Sequence, residues 1–228
     1  MVESASKLQY LRLAEQLSRL ELVYRHNPQA FLYEQAMTMD EASGSARPWW
    51  REPIIGEIIH ALMTERLLLF PKSRRRYVTW TVSGFFVWDA RFHGPHFNVI
   101  QSLSEEKASF VVGQRCQYIE DNLRQGFLRR GYRSWSSSSG DTKKLVYDHT
   151  GSTIIGVKEG GDAVRTYTIT RLFMDESEFQ PHSHDALKAA KPLMEPDKLV
   201  QIILASSSDG PSGPIASYCR DVGFTRFS

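Results

Sequence analysis

Four cations in five residues, Lys72, Arg74, Arg75 and Arg76 with Ser73 among them, follow the apolar run Leu67-Leu68-Leu69-Phe70 and lead to the hydroxyl of Thr79. Far downstream a second apolar run, Leu172-Phe173-Met174, ends in Asp175-Glu176, and a third, Leu199 to Ala205, ends in Ser206-Ser207-Ser208. Cations and a hydroxyl after a strand can cradle nucleotide phosphates and one side of a magnesium ion. An Asp-Glu pair supplies one carboxylate for the hydrated metal and a second, one residue on, to orient an attacking water. Hydroxyls at the tip of a third strand can touch a γ-phosphate and register its loss. Together the three strand ends point to ATP and Mg²⁺ bound at the carboxyl ends of neighbouring parallel strands.

The phosphate element departs from the usual P-loop, or Walker A, spacing G-x-x-x-x-G-K-[ST]. Laid on Thr79, that pattern puts Lys72, Tyr77 and Val78 where Gly, Gly and Lys should stand. Glycines there let the backbone wrap the phosphates at positive φ, so Tyr77 must take up a conformation costly for a bulky side chain, or the loop must be shaped differently. Near-helical spacing of Trp80, Phe85, Trp88 and Phe92 places the basic loop at a helix amino terminus, where backbone N–H groups and the macrodipole favour an anion.

Four segments carry a resemblance: Pro71-Lys72-Ser73-Arg74-Arg75-Arg76-Tyr77-Val78-Thr79-Trp80, Asn98-Val99-Ile100-Gln101-Ser102, Asp175-Glu176-Ser177-Glu178-Phe179-Gln180-Pro181 and Ala205-Ser206-Ser207-Ser208. The chain resembles the ATPase domain of bacteriophage large terminase subunits, the motors that drive viral DNA into a preformed capsid. Many of those carry a P-loop whose basic residue sits at the start, near K-S-R-x-x-x-x-[ST]-W. The resemblance implies that Lys72 is the shifted lysine, with Ser73 and Arg74 to Arg76 beside the phosphates and Arg74 aiding catalysis. It implies Thr79 as the magnesium-side hydroxyl, Asp175 as the Walker B aspartate, Glu176 as the catalytic glutamate and Ser206, Ser207 and Ser208 as the coupling motif. With Asn27 to Leu32 and Pro48-Trp49-Trp50 as the entry to the domain, it spans about residues 27 to 210. Double-stranded DNA, a portal and a small terminase subunit are the implied partners, with a homo-oligomer as the active form. Trp49, Trp50 and Pro53 are candidate neighbours of the base.

Other constellations in the sequence could also do chemistry. His182, His184 and Asp185, or His93 and His96, could ligate a metal, but their spacing favours surface or packing roles. Ser206 to Ser208 with Asp209 lack the G-x-S-x-G nucleophile elbow of a hydrolase. Arg165 could reach a neighbouring subunit's nucleotide as an arginine finger, or form a structural ion pair. Arg124, Arg129, Arg130 and Arg133, interleaved with Tyr132 and Trp135, could meet a phosphate backbone or form a solvated helix end and loop. From a different functional class, a degenerate P-loop module that binds DNA or a portal without turning over ATP is the alternative, and Tyr77 and Val78 are its best support.

Composition fits one α/β domain: 228 residues, 41% apolar and 24% charged, with a net charge of +2 that argues neither for nor against nucleic acid. Two cysteines, Cys116 and Cys219, stand far apart in no C-x-x-C pattern, so neither a disulfide framework nor a zinc site is implied. No apolar run is long enough to span a membrane and no signal peptide is visible, so a cytoplasmic location, the host's if the protein is viral, is expected. Residues 1–47 read as an amino-terminal helical region and lead-in, and 48–228 as the P-loop ATPase core. The short stretch after the third motif is expected to hold no nuclease domain.

The elements that must position these groups follow from periodicity. Helices are expected over Ser6 to Arg25, Ile54 to Leu62, Thr79 to Phe92, Glu105 to about Leu123, capped by Ser102 or Ser104, and His184 to Lys191. Strands are expected over Glu65 to Phe70, Phe97 to Gln101, Tyr167 to Met174 and Leu199 to Ala205, with a β-hairpin of Lys144 to Asp148 and Ser152 to Val157. Asp40 to Arg47 and Ser134 to Gly140 read as loops, and Gly160-Gly161-Asp162 as a turn. Strands alternating with helices predict a mainly parallel sheet covered on both faces, with one hairpin insertion.

Overall fold

Parallel strands buried on both faces are read in sequence as unbroken apolar runs, and four such runs make the centre of this molecule. A computed structural model describes residues 2–40, 42–71, 77–125, 128, 131–138, 142–190, 200–207 and 225–226. The central strands are β3 (Leu67–Pro71), β4 (Phe97–Ser102), β8 (Arg171–Asp175) and β9 (Gln201–Ser206). The sheet has eight strands in the order β10-β3-β9-β8-β4-β7-β6-β5, where β5 is Arg133–Ser136, β6 Lys143–Tyr147, β7 Ser152–Lys158 and β10 Thr225–Arg226. From β10 to β7 all pairings are parallel; β6 and β5 then add antiparallel strands at one edge.

The pleat sends alternate residues to opposite faces. Leu68, Phe70, Ile100, Phe173 and Ile203 join the larger core, with α2 (Pro28–Glu34), α3 (Pro53–Thr64) and α4 (Val78–Phe92). Leu69, Val99, Leu172, Met174, Ile202 and Leu204 face the other way, onto α7 (Gly161–Thr166) and α8 (Ser183–Ala190) through Val164, Ala186 and Leu187. Helix α4 is buried along almost its whole length, which its aromatic-rich sequence requires: Trp80, Phe85, Phe86, Trp88 and Phe92 all lie in the larger core. Its approach to the lead-in depends on Gly84, where a Cβ would stand 2.7 Å from both Leu32 Cδ2 and Trp49 Cη2.

Several elements differ from the sequence expectation. The first helix, α1, runs over Val2–His26 and is followed at once by α2, whose cap, Asn27, accepts from the Ala30 N–H at 2.9 Å. The loop expected over Asp40 to Arg47 is the turn of a small antiparallel hairpin, β1 (Met37–Met39) with β2 (Ala46–Pro48). Ser104, not Ser102, caps α5 (Glu105–Val111) through the Lys107 N–H, and the helix continues as a π-helical turn over Val112–Gln117 into α6 (Tyr118–Asp121). The first half of the serine-rich loop is strand β5, and β7 of the expected hairpin is at the same time a parallel partner of β4. The Gly160 turn opens helix α7, so the strand expected from Tyr167 begins only at Arg171. No helix among the described residues is long and apolar enough to cross a membrane.

Candidate functional site

Strand β9 lies between β3 and β8, so the basic loop and the Asp-Glu pair are not on adjacent strands as expected. This arrangement puts the tip of β9, Ser206, between the ends of β3 and β8. Register fixes the levels: Pro71 pairs with Ser206, and Asp175 with Ala205. All three strand ends therefore open at one edge of the sheet.

Thr79, in the first turn of α4, points its Oγ1 at the carboxylate of Asp175, 3.2 Å from each oxygen. Asp175 is 7% exposed, held at the mouth of the core, while Thr79 is half-buried. One residue on, Glu176 adopts a left-handed backbone, φ 54° and ψ 43°. Its Oε2 accepts from Ser206 Oγ at 3.3 Å, and the same Ser206 oxygen accepts from the Glu178 N–H at 3.2 Å. Ser207, just past the end of β9, is half-buried. Thus Thr79 meets Asp175, and Glu176 meets Ser206. Lys72, Ser73, Arg74, Arg75, Arg76 and Ser208 lie outside the described residues.

Tyr77 caps α4 and has φ 46° and ψ 8°, the left-handed conformation anticipated for a residue standing at a P-loop glycine position. Left-handed backbone is uncommon for a bulky residue and needs support from its surroundings. The support is aromatic: the Tyr77 ring lies 4.2 Å from that of Trp50, with Trp50 in turn beneath the Arg47 guanidinium at 5.1 Å. Arg47 also pairs with Asp40 at 3.7 Å across the β1–β2 hairpin.

These groups line a cleft of about 690 Å³. The hairpin and Trp50 form one wall, Lys107, Phe110 and Arg115 from α5 and the π turn another, and Thr79, Asp175 and Glu176 the floor. Arg115 stacks 4.4 Å from the Trp80 ring. The volume is of the size that takes a small-molecule ligand. A hydroxyl beside a carboxylate is a hard-oxygen set, which fits Mg²⁺ in the form that keeps most of its waters.

Asp40, Arg47, Lys107 and Arg115 were not legible in sequence, since nothing in their spacing marks them; of the wall formed by the hairpin, only Trp50 was signalled. Arg165 lies on α7 and pairs with Asp162 at 3.3 Å. His96 bonds the buried Asp89 at 2.9 Å, and His182 approaches Asp185 at 3.6 Å; among the described residues no group of three potential ligands gathers. Cys116 is a buried free thiol, pushed up to about 12 by burial and so inert at neutral pH. In the second basic cluster, Arg133 pairs with Asp148 at 2.6 Å and Lys144 lies over Trp135 at 4.8 Å.

No protein-family model matches the chain, and no curated protein matches it. Solved structures do. The large terminase of bacteriophage HK97 aligns with a TM-score of 0.66 at 15% identity, over 89% of this chain and 43% of that one. The large terminase ATPase domain of Thermus phage P74-26 aligns with a TM-score of 0.58 at 10% identity, over 78% and 81%. A large terminase from a thermophilic bacteriophage, solved in complex with ADP, aligns with a TM-score of 0.53 at 14% identity, over 78% and 42%. The chain spans less than half the length of the full large terminases it matches. With its mainly parallel sheet and helices on both faces, this chain has the fold of the phage large terminase ATPase domain.

Proposed function

We propose that this chain is the ATP-hydrolysing motor domain of a terminase-like protein that packages viral DNA. The observation that carries the reading is the convergence of Thr79 on Asp175 at the floor of one cleft, with Glu176 beside them held from behind by the buried Ser206. Lys72 and Ser73, with Arg74 to Arg76, bind the phosphates at the amino terminus of α4, and Arg74 spreads the charge that develops during transfer. Thr79 and Asp175 hold Mg²⁺, which when bound neutralises phosphate charge. Glu176 orients the attacking water, and its bond to Ser206 lets the serines of the coupling motif respond when the γ-phosphate leaves. Trp50, its ring tilted against that of Tyr77 in the cleft wall, offers a surface for the base. Double-stranded DNA, a portal, a small terminase subunit and further copies of the chain are the partners this reading requires.

A second reading has one observation in its favour: Tyr77 fills a left-handed position that glycine holds in an ordinary phosphate loop. On it the chain is a P-loop module that binds DNA or a portal without turnover. Nucleotide binding with and without Mg²⁺, followed by steady-state hydrolysis, separates the two. Mg²⁺-dependent binding with turnover is expected; no binding would leave the interaction module.

A further inference from the structure

Glu176 has two problems of position. Its backbone is left-handed, a conformation strained for a non-glycine residue, and its carboxylate must point into the cleft. Ser206 restrains the carboxylate from one side. The backbone restraint comes from a residue to which the motifs assign no role. Gln180 is 1% exposed, and its Nε2 donates to the Asp175 carbonyl at 2.7 Å and to the Gln101 carbonyl at 3.4 Å. The Asp175 carbonyl belongs to the same rigid peptide plane as the Glu176 N–H, so holding that oxygen fixes the plane from which Glu176 departs. Gln101 in turn donates through its own Nε2 to Lys158 O at 3.1 Å and Gly160 O at 2.9 Å, tying the anchor to the entry of α7.

The other end of the Gln180 amide has no hydrogen-bond partner: its Oε1 is buried and unsatisfied among the described residues. Leaving a buried acceptor unpaired is unfavourable, so an apolar side chain of the same shape would serve a purely packing role better. The amide is needed for its donor. We propose that Gln180 is a positioning residue for Glu176, and that its donor to the Asp175 carbonyl keeps the glutamate aimed at the water. The hydrolytic part of this statement rests on the function proposed above; the conformational part does not.

The test uses Gln180→Met, which keeps volume and removes the donor, with two readouts. Hydrogen exchange at the Glu178, Phe179 and Gln180 amides, which bond to Ser206 Oγ, Glu176 O and Ser177 O, should quicken roughly tenfold or more as the turn loosens. The kcat for ATP should fall roughly ten- to a hundredfold, as expected for a misaimed group, with KM and nucleotide affinity unchanged. In a Glu176→Gln background the same change should add almost nothing, because the aimed carboxylate is already gone. Gln180→Asn, shorter by one methylene, is the second variant should Gln180→Met fail to fold, and it should move both readouts the same way. Unchanged exchange overturns the positioning role whether or not the chain hydrolyses ATP. Losses that multiply in the Glu176→Gln background also overturn it, since they would show Gln180 acting elsewhere. Quickened exchange in a protein whose wild type has no turnover supports the positioning and removes the hydrolytic reading instead.

Discussion

Thr79 and Asp175 are 96 positions apart in sequence and one hydrogen bond apart in space. If they share a metal, Thr79→Val should weaken Mg²⁺-nucleotide binding by about tenfold or more, the worth of one hydrogen bond to a charged group, and leave metal-free binding alone. Titration of a fluorescent nucleotide with and without Mg²⁺ checks it; equal loss in both would mean that Thr79 does not act through the metal. Glu176→Gln should keep nucleotide affinity while turnover falls by about 100-fold or more, the usual range for removing a general base. Unchanged turnover would sink the assignment of Glu176. Asp175 was legible in position because it ends an apolar run, so a strand had to deliver it to a sheet edge, and Thr79 because the helical spacing of Trp80, Phe85, Trp88 and Phe92 set a helix start beside it. Gln180 was not legible. Its part depends on a carbonyl five positions back and on burial, and a lone glutamine in a polar turn carries no sign of either. Tyr77 lies between: its left-handed backbone was foreseeable from the P-loop spacing, but its aromatic neighbour Trp50 was visible only in three dimensions.

Elements were readable where burial enforces a pattern and hidden where pairing alone makes them. The runs of β3, β4, β8 and β9 are apolar because both sheet faces are covered. Strand β5 is exposed at all four residues, so Arg133 to Ser136 carry no hydrophobic signature, and only the ladder to β6 makes them a strand. Helix α7 was masked by its own start, Gly160-Gly161-Asp162, whose turn chemistry is real but serves as the lead-in to a single short helix anchored by Val164. Contact between elements also explains a glycine. At Gly156 of β7 a Cβ would stand 2.7 Å from Ala108 C and 2.8 Å from Ser109 N, backbone atoms of α5 that no rotamer change can move. Gly156→Ala should therefore destabilise the fold by about 1–3 kcal/mol through overpacking, although alanine is the better strand former. Gly131→Ala, with nothing within 4 Å of the added carbon, is the control and should be near neutral. Urea midpoints of the two variants decide the matter, and equal midpoints would mean that α5 rides over β7 less closely than described.

At the scale of the whole molecule the sheet has two unlike ends. The carboxyl ends of its strands open on the cleft, while the opposite end is closed by a buried polar lock. Asp89 of α4 accepts there from His96 Nδ1 at 2.9 Å, Asn98 Nδ2 at 3.0 Å and Arg171 at 2.6 Å, joining the end of the helix to β4 and β8. Helix α4 thus carries Thr79 at one end and this lock at the other, so the site is braced from beneath. Burial pushes the Asp89 carboxyl up, but the His96 hydrogen bond and the Arg171 charge outweigh it and hold the group below its ordinary value of 3.8. A carboxyl with a depressed folded value contributes stability that is complete above its unfolded value and is lost as pH falls through the folded one. The lock should accordingly hold at neutral pH and fail below about pH 4, the ordinary aspartate range. Asp89→Asn leaves Arg171 buried without its counter-charge and should cost roughly 3–5 kcal/mol at pH 7. Since the wild type loses the same charge in acid, the gap between the two proteins should narrow as pH is lowered from about 5 toward 3. Urea unfolding followed across that range provides the measurement. A gap that stays constant would show that the Asp89 charge does not hold the lock, and that packing of α4 against the sheet closes this end of the molecule by itself.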